Sequence, residues 1–271
     1  MLLSLGCDKK KDRIYEESST SRLNVSVENV YEAIDKSHAW VFSYYPGADR
    51  EYGGFNLFPN FMNTTDLSLQ ADFTTSTFSS TFRVYPGAGP ILTFDTYNPV
   101  IHYFGLPGYY TGNSTSLGIG ATDTGMKGDF EFLVLSANSD SVMLKGMKYG
   151  GIMRMEAVPV AQLSTVITSY RAANNTFNSY RSFTIEVNGK TFGTTTTLAR
   201  VNGTVRPNRY LPVATTDVKL SFIVTDLGLE FYQDYTVEGV TFNKLTFVAA
   251  TPQYPKGYFK NTANTLKLIP A

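Results

Sequence analysis

Trp40-Val41-Phe42-Ser43-Tyr44-Tyr45, Gly54-Phe55-Asn56-Leu57-Phe58, Leu67-Ser68-Leu69-Gln70-Ala71 and Thr81-Phe82-Arg83-Val84-Tyr85 follow one another along the chain. These runs are rich in Phe, Tyr, Val and Thr, and they are separated by Gly, Pro and Asn. Both features mark β-strands. Several alternate apolar with polar residues, which places one face against a core and the other toward water, as in an antiparallel meander. Further strands are expected at Phe183 to Val187, Thr191 to Val201, Val218 to Val224 and Thr241 to Val248. Asn188-Gly189 between the first two is a hairpin turn, because both residues tolerate the positive φ such turns need.

Two helices interrupt this pattern. Val27, Val30, Tyr31 and Ile34 recur at helical spacing behind the capping candidates Ser26 and Asn29. Leu163, Val166, Ile167 and Tyr170 form a second apolar stripe, within a helix expected from Val160 to about Ala173. Each half therefore opens with a helix and continues in strands. The expected fold is mostly β: antiparallel meanders forming a partly closed barrel or a sandwich, with α+β as an applicable label. Residues 1–24 are expected to be a signal remnant and flexible tether, 25–159 an N-terminal β-subdomain and 160–271 a C-terminal one. Leu92-Thr93-Phe94 with Ile101-His102-Tyr103-Phe104 aligns on Leu220-Ser221-Phe222 with Leu229-Glu230-Phe231-Tyr232, which hints at duplication.

Composition narrows the function. Lys+Arg and Asp+Glu both number 23, so the net charge is zero. Nucleic acid is not an expected partner, since binding it requires a basic face. No stretch reaches the roughly 18 consecutive apolar residues of a membrane-spanning helix. The only cysteine, Cys7, sits in Met1-Leu2-Leu3-Ser4-Leu5-Gly6-Cys7-Asp8. An apolar run and a small residue before a lone cysteine are similar to the cleavage box of a bacterial lipoprotein, in which that cysteine is acylated. No basic residue precedes Cys7, so a complete signal peptide would need residues upstream of Met1. The chain is expected to be exported and lipid-anchored, facing the periplasm or the cell surface.

Catalytic motifs are sparse. The two histidines, His38 and His102, do not form an HExxH zinc signature. No Gly-x-Ser-x-Gly elbow occurs. Gly87-Ala88-Gly89-Pro90 lacks the lysine of a phosphate-binding loop and is expected to be a turn. The best cluster for ligand chemistry is Asp95, Asn98 and His102 around an expected hairpin at Asn98-Pro99, with Asp129 and Glu131 on one face of a strand. Paired carboxylates on one face can bind calcium or share acid and base roles. Asp95 and Asn98 also suit simple turn capping. Tyr109 and Tyr110 lie in a glycine-rich stretch from Gly105 to Gly128, which is expected to be a lid or the rim of a binding surface. Tyr44, Tyr45 and Tyr52 are further candidates for ring contacts with a sugar. No metal or cofactor is expected.

Trp40-Val41-Phe42-Ser43-Tyr44-Tyr45-Pro46, Gly53-Gly54-Phe55-Asn56, Gly89-Pro90-Ile91-Leu92-Thr93-Phe94-Asp95-Thr96-Tyr97-Asn98, His102, Gly128-Asp129-Phe130-Glu131-Phe132 and Lys145-Gly146 occur in that order. This series resembles a family of Bacteroidetes lipoproteins, domain of unknown function 4302, most specifically over residues 40–156. The resemblance implies an exported outer-membrane lipoprotein and no defined activity. Asp8 is followed by three lysines, whereas acidic residues follow the cysteine in many surface-displayed lipoproteins of that group. The expected function is a non-catalytic binding or accessory protein for nutrient capture, with a glycan or peptide ligand and an outer-membrane transporter as partner. The alternatives are a carboxylate-dependent glycan or peptide hydrolase and a structural envelope protein.

Overall fold

The structure, a computed structural model, describes residues 17–35, 37–107, 123–196, 198–201, 204–207, 209–212 and 219–271. Helix α1 (Ser19–Ala33) precedes eight strands: β1 (His38–Tyr44), β2 (Phe55–Phe61), β3 (Asp66–Ala71), β4 (Thr74–Pro86), β5 (Pro90–Phe94), β6 (Glu131–Ala137), β7 (Ser141–Gly146) and β8 (Ile152–Pro159). Each strand pairs antiparallel with the next, and β1 pairs with β8, so the meander closes into a barrel. Phe42 faces Leu57 on one side and Met155 on the other.

Alternation sets what fills the barrel. Leu67, Leu69 and Ala71 point inward from β3 while the residues between them are only half-buried. Trp40, Phe42 and Tyr44 point inward from β1, and Val41 on its outer face is also buried. That double burial explains the nearly continuous apolar run in β1. An eight-stranded barrel is just wide enough to be filled by side chains or to hold one small ligand. Here Phe42, Tyr44, Phe61, Phe82, Phe94 and Phe132 fill it.

Both ends of the barrel are stoppered. At one, α1 inserts Val30 and Ile34. The Tyr31 hydroxyl receives the Val84 N–H at 2.8 Å, satisfying β4 where it runs past the end of β3. At the other, a 3₁₀ turn (His102–Gly105) inserts Phe104 against Tyr44, with ring centroids 4.6 Å apart. α1 begins earlier than the sequence reading placed it. Ser18, not Ser26, is the cap, its side chain accepting from Ser21 N at 3.1 Å. The first turns carry no apolar stripe because only the C-terminal end of α1 meets the core.

The second half repeats this plan. After a short 3₁₀ turn (Val160–Gln162) comes α2 (Leu163–Ser179), then β9 (Ser182–Val187), β10 (Lys190–Thr196), β11 (Leu198–Val201), β12 (Thr204–Pro207), β13 (Tyr210–Pro212), β14 (Lys219–Thr225), β15 (Gly228–Val237), β16 (Val240–Val248), β17 (Tyr258–Lys260) and β18 (Leu266–Pro270). The sheet runs β10-β9-β18-β17-β16-β15-β14-β13, with β11 and β12 as a separate hairpin. It is a nearly closed eight-stranded barrel whose open seam lies between β10 and β13. Asn188 and Gly189 take φ of 49° and 75°, as the β9–β10 hairpin requires. Phe177 from α2 stops one end of the barrel, packing on Phe183 and Phe222.

In strand order β9, β10 and β13 to β18 correspond to β1 to β8, so the recurrence lies in topology. The sequence fragments suggested for it do not coincide. Leu92–Phe94 belongs to β5, the fifth barrel strand, whereas Leu220–Phe222 belongs to β14, the fourth of its own barrel. Ile101–Phe104 runs into the 3₁₀ turn, whereas Leu229–Tyr232 is in β15. The fold is mostly β, with two helices.

Candidate functional site

The residues singled out in the sequence do not converge into one catalytic site. Asp95 is exposed and pairs with Arg83 at 3.0 Å across the outside of the first barrel. Asn98 is fully buried and organises a loop: its Oδ1 accepts from Val100 N at 3.0 Å, and its Nδ2 donates to Ser80 Oγ at 3.0 Å. The expected hairpin at Asn98-Pro99 is absent, because the chain turns directly into the 3₁₀ segment. His102 opens that segment, its Nδ1 lying 3.1 Å from Asn98 N, and its ring stacks on Phe130 with centroids 4.7 Å apart. Burial pulls its pKa below the ordinary histidine value.

Asp129 and Glu131 also part company. β6 begins at Glu131, which faces outward beside inward-pointing Phe132. Asp129 lies before the strand and is buried, its carboxylate accepting from Lys148 N at 2.7 Å and from Tyr149 N at 3.2 Å. Burial raises its pKa, and those two N–H groups pull the other way. Asp129 therefore caps the β7–β8 turn, and Gly146 is required there because a Cβ would overlap its carboxylate. Among the described residues no group of three His, Cys, Asp or Glu side chains is placed to hold a metal. Tyr44 is in the first core, its hydroxyl donating to Asp129 O at 2.9 Å. Tyr45 points outward but is covered by the second half, edge-on to Tyr232 at 5.0 Å. Tyr52 is half-buried, with its hydroxyl 3.4 Å from Gly125 O. Cys7, Tyr109 and Tyr110 lie outside the described residues.

The structure places a different constellation where the two halves meet. Asp72, in the β3–β4 turn, forms a fully buried ion pair with Arg209, their side chains 0 % and 4 % exposed. Arg209 Nη1 donates to Asp72 Oδ2 and to Gly54 O, each at 2.8 Å. Its Nη2 donates to Asp72 Oδ1 at 3.1 Å and to Asn174 Oδ1 at 2.9 Å. Asn56 adds its backbone N and its Nδ2 to Asp72 Oδ2, at 3.0 and 2.7 Å. The same Nδ2 reaches Val224 O in the second barrel at 2.6 Å. A buried charge is tolerated only when its lone pairs and protons are met in this way.

Beside this joint a cleft of about 530 Å³ opens. That volume lies within the roughly 300–1,000 Å³ usual for small-molecule sites. Part of the lining is aromatic: Phe73 and Tyr103 are half-buried, with centroids 5.3 Å apart and planes 30° apart. α2 supplies much of the rest of the lining. Arg171, Asn174, Asn175 and Asn178 all line the cleft, and their i, i+3, i+4, i+7 spacing puts them on one helix face. Thr74 and Thr75 complete the rim.

α2 thus carries three surfaces. Its apolar stripe of Leu163, Val166, Ile167 and Tyr170 packs on Val41, Phe58 and Val158 outside the first barrel. Ala173 and Phe177 enter the second core. The polar face is left for the cleft. The apolar stripe in the sequence places the end of α2 near Ala173, and Asn174, Asn175 and Thr176 beyond it are weak helix formers. Packing of Phe177 and the bonds of Asn174 carry the helix to Ser179 and build that part of the lining.

A family model, domain of unknown function (DUF4302), matches residues 11–249. The chain belongs to the DUF4302 family. No curated protein and no solved structure matches it. Of the cleft residues, Phe55, Asp72, Phe73, Tyr103, Arg171, Asn174 and Arg209 all fall within the stretch matched to DUF4302.

Proposed function

We infer that this DUF4302 protein is an exported, lipid-anchored binding protein of the bacterial envelope that holds a polyhydroxylated ligand in the cleft between its barrels. The observation that carries this is the lining of the cleft. Half-buried aromatic rings share the cleft with side-chain amides and threonine hydroxyls. Ring faces take the C–H face of a pyranose, and amides offer both a donor and an acceptor to each hydroxyl. The one carboxylate in the lining, Asp72, is fully engaged by Arg209 and Asn56. That favours binding over general acid–base chemistry.

The lipoprotein-like segment ending at Cys7 supports acylation there and placement at the outer membrane of a Bacteroidetes cell. Two or more acyl chains make such an anchor stable, at about 0.8 kcal/mol per buried CH₂. Nutrient capture beside a transporter follows from that setting. The test is a thermal-shift screen of the purified protein against glycans and peptides. A ligand at a hundredfold its Kd stabilises the fold by about 2.7 kcal/mol. A dose-dependent rise with saccharides supports the reading, and a flat response across all saccharides overturns it.

A further inference from the structure

We propose that the cleft selects an acidic saccharide, with its carboxylate or sulfate on Arg171 and a hydroxyl of the adjoining ring donating to Asn178 Oδ1. This rests on the reading that the cleft binds sugar, and adds the chemical class.

Charge is the first argument. The lining carries two arginines and one aspartate, which leaves one positive charge. Arg209 is neutralised by Asp72, and its Nη1 and Nη2 protons go to Asp72, Gly54 O and Asn174. Arg171 has no ion-pair partner among the described residues. It is held instead by Nε donating to Ala71 O at 3.1 Å and Nη2 donating to Gln70 Oε1 at 3.2 Å. Those two bonds lock the guanidinium plane and leave Nη1 uncommitted. A pre-oriented planar cation with spare N–H groups is suited to carboxylate or sulfate recognition. Its half-burial also makes an anionic partner more favourable than it would be in open water.

The second argument is independent. Asn178 Oδ1 is a buried acceptor without a hydrogen-bond partner in the structure. Buried polar atoms are nearly always paired, so this orphan calls for a donor, which a ligand can bring once the Asn178 amide turns toward the cleft that its residue lines. A sugar hydroxyl supplies one. Arg171 and Asn178 stand two turns apart on α2, about 10 Å along its axis. A ligand joining them spans two sugar rings, and Phe73 and Tyr103 line the same cleft. Peptides also carry donors and carboxylates. The paired ring faces and the Thr74, Thr75 and Asn175 rim, all groups that both give and accept, favour a chain of hydroxyls.

Calorimetric titration of the purified protein decides the matter. The probes are neutral disaccharides of the gluco, galacto and manno series, the uronic acid and sulfated counterpart of each, and a tetraglutamate peptide. At least one acidic disaccharide should bind roughly tenfold or more tightly than its neutral match. R171Q should shrink that gap to about twofold, and R171K should retain part of it. N178A should weaken neutral and acidic sugars alike. Apo melting curves report whether each variant is folded. If acidic and neutral sugars bind equally, or the gap survives in folded R171Q, the selectivity is refuted while the sugar cleft stands. Tetraglutamate binding as tightly as the best acidic sugar also refutes it. If no saccharide binds, the cleft reading itself falls.

Discussion

Replacing Arg209 by methionine keeps an unbranched apolar stem and removes the guanidinium with its charge. Asp72 would then sit fully buried with only the Asn56 donors, and Gly54 O and Asn174 Oδ1 would lose their partner. Breaking one side of a buried ion pair costs about 3–5 kcal/mol. At roughly 2–4 °C per kcal/mol for a chain of this size, the midpoint should fall by about 6–20 °C. Calorimetry on wild type, R209M, D72N and the double variant separates the pair from its surroundings. D72N leaves the guanidinium buried without a counter-charge, whereas the double variant buries neither charge. The double variant should therefore lose clearly less than the two single losses combined, by about 2 kcal/mol or more. A midpoint for R209M within about 2 °C of wild type, or simple additivity, would refute the claim that this pair joins the two halves.

Four further expectations follow, three from the geometry and one from the segment ending at Cys7. Gly146→Ala should destabilise by about 2 kcal/mol or more in denaturant titration, since the new Cβ overlaps the Asp129 carboxylate. The folded pKa of Asp129 is raised by burial, so its ionisation disfavours the fold. Relative to D129N, wild type should lose stability as pH rises through the carboxylate range, and a pH-independent difference would contradict this. The folded pKa of His102 is lowered by burial, so its contribution is present above the ordinary value of about 6.5 and lost as pH falls through the folded value. His102→Gln should remove that part of the acid sensitivity. Metabolic labelling with a fatty acid should mark the wild-type chain and not Cys7→Ser, and equal labelling would refute acylation at Cys7.

The fold was legible where one residue's neighbours in sequence also decide its environment. Alternation in Leu67 to Ala71, the Asn188-Gly189 turn and the apolar stripe from Leu163 to Tyr170 are of this kind. The residues of the candidate site were not. Asp72 reads as an ordinary turn residue, and nothing local says that Arg209, 137 positions later, will meet it. The spacing Arg171-x-x-Asn174-Asn175-x-x-Asn178 was a usable signal for a polar helix face. Asparagines argue against a helix on propensity alone, which masks that signal. Asp95, Asn98 and Asp129 stood out for the opposite reason. Turn and capping chemistry uses the same residue types as catalysis, and only the third dimension shows Asn98 and Asp129 spent on backbone N–H groups and Asp95 on Arg83.

The most direct test of the central claim is NMR titration of the isotopically labelled protein with the disaccharide panel, following side-chain amide and arginine Nε–H signals. The account predicts that Asn175, Asn178 and Arg171 move together along one binding curve, with Phe73 and Tyr103 ring protons shifting in parallel. Saturable shifts centred instead on His102 and Phe130, or no saturable shift with any saccharide, would contradict it.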